Sequence, residues 1–89
     1  MKVITQIETA RGKVVYELFS ETTDGTVRYG IKVVSGLFDE AEEAVVKDIT
    51  SELDFARKLL FMLADNFVLP STADEVIEEY ITASFTVNS

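Results

Sequence analysis

The chain has 89 residues, 47% hydrophobic and 27% charged, which is globular composition at the length of one domain. It contains no His, no Cys and no Trp. The usual general base near neutral pH, the usual soft metal ligands and the thiol nucleophile are therefore all missing. Chemistry would rest on carboxylates, Lys, Tyr or Ser/Thr, and no spacing marks such a site. We expect no enzyme, with no catalytic residue, no cofactor and no metal site.

The net charge of −8 is unevenly placed. Residues 1–38 carry five basic side chains against four acidic ones, and residues 39–89 carry three against twelve. Such a balance repels phosphate backbones and anionic bilayers, because no basic patch releases counterions. Binding to nucleic acid or to membrane is not expected. Area scaling for this length buries roughly 64% of the unfolded surface, enough for a modest core. Zero cysteines exclude a disulfide framework. The first residues lack the apolar run of a signal peptide, and the longest apolar stretch, Leu59 to Ala64, is far below the ~20 residues of a bilayer span. A cytoplasmic protein is expected.

The period is two up to about residue 49. Lys2 to Glu8 reads as a first strand, joined through Ala10-Arg11-Gly12 to a second at Lys13 to Glu21. That strand puts Val14, Tyr16 and Leu18 on one face and Val15 and Phe19 on the other. Asp24-Gly25 suits a tight hairpin, because both residues tolerate positive φ. Val27, Tyr29, Ile31 and Val33 then alternate with Thr26, Arg28, Gly30 and Lys32 in a third strand. After Ser35-Gly36, an acidic loop (Asp39, Glu40, Glu42, Glu43) leads to a short strand at Ala44 to Ile49.

From Ser51 the period becomes helical. Ser51 is placed to cap, Glu52 and Asp54 put negative charge in the first turn, and Leu53, Ala56, Leu59, Leu60, Leu63 and Phe67 share one face. Phe55 and Met62 fall on another side, so this helix is apolar over more than half its circumference. Asp65-Asn66 offers a left-handed end. After Pro70, Thr72 with Glu75 fits a capping box, and Val76, Ile77, Tyr80 and Ile81 form the inner stripe. The whole reads as one α+β domain over 1–89: an antiparallel meander of three to four strands over about 2–49, then helices over about 52–66 and 73–83, packed on one sheet face.

Tyr29-Gly30-Ile31, the acidic loop, Val46-Lys47-Asp48-Ile49-Thr50, the Leu-rich helix, Val68-Leu69-Pro70 and Val76-Ile77-Glu78-Glu79-Tyr80 together carry a resemblance. Over roughly residues 13–81 the chain is similar to a family of small uncharacterised proteins of Gram-positive, Clostridia-like bacteria. The resemblance implies the same strand–helix order, with a Pro between the helices. Many such relatives carry a His shortly after that proline, where this chain has Ser71-Thr72-Ala73, so no His chemistry carries over. The resemblance implies no activity and no functional residue.

The acidic loop has carboxylates but neither the alternation nor the Gly of a Ca²⁺ loop, and a solvated hairpin is the plainer reading. Tyr16, Tyr29 and Tyr80 lack the surrounding Lys and Arg of a nucleic-acid platform and read as core or interface rings. Gly12, Gly25, Gly30 and Gly36 are too far apart for a phosphate loop, and Gly30 marks a bulge or a close approach. Asp74, Glu75, Glu78 and Glu79 form like-charged i, i+4 pairs on the second helix. They are the candidate surface for a protein partner, and their charge calls for a basic one. Because two helices cover one sheet face, Val15 and Phe19 are the candidate contacts of a homodimer.

The leading expectation is a non-enzymatic protein–protein interaction or regulatory module. The alternative is a small-molecule sensor with an apolar pocket between sheet and helices, opening near Pro70. An acidic mimic of nucleic acid fits the charge but not the apolar helices. If the helical stripe faces the sheet, Leu60→Ala costs about 2–5 kcal/mol in urea unfolding. A loss below about 0.5 kcal/mol would place the stripe in solvent.

Overall fold

The computed structural model describes residues 1–9, 12–36 and 41–86, with side chains through Ser84. Ala10-Arg11, Asp39, Glu40 and the tail from Phe85 through Asn88-Ser89 lie outside the side chains so described. Four strands, β1 (Lys2–Glu8), β2 (Val14–Thr23), β3 (Thr26–Ser35) and β4 (Glu42–Thr50), pair antiparallel in chain order. Helices α1 (Leu53–Asp65) and α2 (Pro70–Thr86) follow and cover one face. This is the expected α+β meander.

Asp24 and Gly25 take φ of 52° and 79°, a two-residue turn whose twist matches the flanking strands. It locks β2 to β3 without a register break from Val14↔Ser35 to Thr23↔Thr26. Val14, Tyr16 and Leu18 of β2 and Ile31 and Val33 of β3 therefore meet the helices, and all five are buried. Ala56, Leu59, Leu60 and Leu63 close on them from α1, and Ala73 and Ile77 from α2. Leu53, Phe67, Val76, Tyr80 and Ile81 pack around the edge of this core, half-buried. The second apolar side of α1 meets α2, where Phe55 stands edge-on to Tyr80 with centroids 5.4 Å apart.

Three helix ends differ from the sequence reading. Glu52, not Ser51, is the N-cap of α1, and no side chain caps it. The Glu52 N–H donates instead to the Thr50 hydroxyl at 3.0 Å. At the far end Asn66 keeps φ −95° and Phe67 turns left-handed at φ 49°. The Val68 N–H reaches the Leu63 carbonyl at 3.0 Å and the Phe67 N–H reaches Ala64 at 3.2 Å. That pair of bonds is a Schellman turn. A left-handed non-Gly residue costs about 1–2 kcal/mol. Packing of the Phe67 ring against the core offsets that cost. Finally, α2 starts at Pro70, so Thr72 lies inside the first turn and its hydroxyl donates back to Leu69 at 3.4 Å. Proline suits the first helical position because its φ is preset and its missing N–H would have had no partner.

The second sheet face has no helix over it, yet its aromatic ring is closed off from solvent. Phe19 is 0% exposed, its ring lying over Gly30, which β2 holds directly opposite. A Cβ on Gly30 would come within 2.5 Å of the ring and 2.6 Å of the Val46 carbonyl. Register shifts between Tyr29 and Ile31 bring β4 into that space as a bulge. Beyond the ring, a polar ladder crosses all four strands. Gln6 donates to Glu17 at 3.0 Å, Glu17 stands opposite Lys32, and Lys32 pairs with Glu43 at 3.4 Å.

Gly30→Ala therefore meets two rigid neighbours and is expected to cost about 1–3 kcal/mol. Urea unfolding checks it, and a neutral outcome would mean that Phe19 does not fill that space. Tyr16 provides a second test. Burial raises its pKa above 10.0, so the folded state holds its phenol proton more tightly than the unfolded chain. Its contribution is complete below pH 10 and is lost as pH rises through the folded value. Stability of the wild type should fall more steeply above pH 10 than that of Tyr16→Phe. Equal slopes in pH-dependent chemical denaturation would contradict this.

Candidate functional site

Two surfaces stand out, both involving α2. Asp74, Glu75, Glu78 and Glu79 lie on its outer side and are all exposed. The geometry follows from helical spacing: Ala73 and Ile77 point to the core, so positions 74, 75, 78 and 79 turn away. Glu75, Glu78 and Glu79 line an open groove with Thr82 and Ala83. Among the described residues the ion pairs are Arg28–Asp48 and Lys32–Glu43, so no cation neutralises this face.

The second surface is a cleft of about 470 Å³ between the end of β4, the start of α1 and the last turns of α2. Ile49, Phe55 and Ile81 give it apolar wall, Thr50, Ser51 and Ser84 give hydroxyls, and Arg28 and Glu52 give opposite charges. It opens at the far end of the helix pair from Pro70, which is itself buried. The backbone around the cleft is special. Asp48 takes φ 56° within β4, at the bulge, and Arg28 holds it there. The Arg28 Nε donates to the Asp48 carboxylate and a terminal guanidinium nitrogen donates to the Asp48 carbonyl at 3.3 Å.

The structure brings the four α2 carboxylates onto one face, as their spacing implies. It corrects the reading of Phe19 as a dimer contact. That ring is closed inside the chain by Gly30 and presents no surface, while Val15, four residues earlier on the same face, is half-buried opposite Val34. The sequence reading missed the cleft. Its one signal was Gly30, which marked the bulge that shapes it but not the side chains that line it.

Among the described residues no group of three or more acidic side chains is arranged to hold a metal ion. Nor is any helix among them long and apolar enough to cross a membrane. Tyr16, the most buried ionisable side chain, donates its hydroxyl to the Val68 carbonyl at 2.8 Å. The bond holds sheet and interhelical turn together, and the hydroxyl faces neither surface.

The model of a family of unknown function, DUF6514, matches residues 1–83. The chain belongs to that family. Neither a curated protein nor a solved structure matches it. The family brings no activity with it, so any functional reading rests on the two surfaces.

Proposed function

We propose that this member of the DUF6514 family is a non-enzymatic, cytoplasmic interaction module that docks a basic protein segment on the outer face of α2. The observation behind this reading is the groove formed by Glu75, Glu78 and Glu79 with no neutralising cation among the described residues. Carboxylates one turn apart repel each other by about 0.2–0.5 kcal/mol per pair in an isolated helix. A basic partner removes that repulsion, and its approach is speeded by the long-range field of a chain at −8. The core beneath anchors the inner side of the helix through Ala73 and Ile77, so the carboxylates share one outward face before binding.

The family's unknown function leaves catalysis without support from relatives. The missing His and Cys argue in the same direction. The test compares wild type with a Glu75→Gln, Glu78→Gln, Glu79→Gln variant as bait in lysate of the native host. A basic protein retained by wild type, released near ~0.5 M salt and lost by the variant is the expected result. Retention of the same proteins by both baits would refute the reading. The substituted residues are exposed, so the variant should keep the wild-type unfolding midpoint.

A further inference from the structure

The cleft beside α1 has its own chemistry, separate from the acidic face of α2. Arg28 gives two of its five N–H donors to Asp48, and three remain for another acceptor. Glu52, on the same cleft, caps α1 by position alone, its side chain making no cap bond. It is exposed and takes no part in the ion pairs among the described residues. Ile49, Phe55 and Ile81 line the same cleft and give it its apolar wall. The volume, about 470 Å³, lies within the usual range of small-ligand sites.

The backbone supporting this cleft is unusual for an element that serves only to close a sheet. A left-handed Asp within a strand is a sparsely populated conformation that persists where its surroundings over-determine it, and such positions cluster at binding sites. Here the bulge shifts Thr50 to pair with Tyr29, immediately before the α1 start. The two Arg28 bonds hold that arrangement, so the residue that secures the bulge is also the one that offers spare donors to the cleft.

We propose that the cleft binds a small zwitterion with an apolar side chain, the chemistry of a free amino acid such as phenylalanine or leucine. The ligand carboxylate meets Arg28, its ammonium meets Glu52, and its side chain covers Ile49, Phe55 and Ile81. Charge complementarity selects this class over its neighbours. An apolar anion would face the unpaired Glu52 carboxylate, and an apolar cation would face the guanidinium. A zwitterion answers both and adds no net charge to the site.

Amide-resolved NMR titration of the whole chain with free L-phenylalanine tests it, alongside 3-phenylpropionate and phenethylamine, each of which lacks one charge. Saturable shifts confined to residues 28, 49–55 and 81–84 are expected at millimolar ligand. Either analogue, and Glu52→Gln with phenylalanine, should bind at least about tenfold more weakly. The proposal is overturned by an absence of saturable shifts up to about 20 mM. Equal affinity of 3-phenylpropionate, or shifts centred on the open sheet face, would overturn it as well. The analogue arm stands on the unmodified chain, so the test holds whether or not the Glu52 variant folds.

Discussion

The buried hydroxyl of Tyr16 and the Val68 carbonyl form the bond on which the two layers depend. They are 52 positions apart in the chain and 2.8 Å apart in space. Val68 lies between the helices, where its carbonyl belongs to no helix ladder, and only 8% of the residue is exposed. A buried carbonyl without a donor costs about 1–3 kcal/mol. Tyr16 removes that cost and anchors the turn over the start of β2. The neighbouring features serve the same turn. Phe67 takes the left-handed conformation that reverses the chain, its ring packing on the core, and Pro70 starts α2 with no N–H to satisfy. Both helices therefore leave this turn with their apolar sides already directed at the sheet.

The opposite face shows how a four-stranded sheet buries its largest apolar side chain there without a second layer. One aromatic ring is laid over one glycine, a ladder of polar side chains crosses the strands beside it, and Val3, Val15, Val34 and Val45 share the face with them. Glycine in a strand ordinarily weakens it, having nothing to pack. At Gly30 the lost side chain is replaced by the Phe19 ring from the strand opposite and by the Val46 carbonyl at the bulge. The same replacement shapes the end of β4, because the bulge that admits the carbonyl also sets Asp48 and Thr50 at the start of α1. Closing this sheet face and shaping the cleft at the end of β4 are thus consequences of one irregularity.

Local rules explain which features the sequence made readable. Asp24-Gly25 encodes its turn in its own φ preferences, and the α1 stripe encodes its facing through period alone, so both could be read directly. The helix ends could not. Asn66 and Phe67 both neighbour the point of reversal, and local preference favours Asn. The ring of Phe67 gains core contact that only the folded chain supplies, and that tertiary gain decides. Ser51 and Thr72 are good caps by type, but Thr50 and Pro70 already satisfy or remove the relevant N–H groups. Phe19 was misread because alternation says which face a side chain takes, not whether a glycine across the sheet will receive it. The α2 carboxylates were legible for the converse reason, since outward-facing charge needs no partner in the fold. The cleft was not, because its lining comes from β3, β4, the α1 start and α2, segments that sequence spacing cannot bring together.

The two proposed surfaces share α2, and this has a thermodynamic consequence. Glu78 and Glu79 face outward within two turns of Ile81 and Ser84, which line the cleft. A ligand that packs on Ile81 restrains the last turns of α2. A partner that docks on the outer face restrains the same backbone. Ordering that one ligand has already imposed need not be imposed again by the other. Each would then favour the other by the same factor, as linkage requires of any two sites coupled through one element. The coupling is carried by a helix whose inner face is held by Ala73 and Ile77 near its start, while its last turns rest on half-buried Tyr80 and Ile81. Its more weakly held end is therefore where both surfaces converge, and where a small binding energy can shift the most backbone.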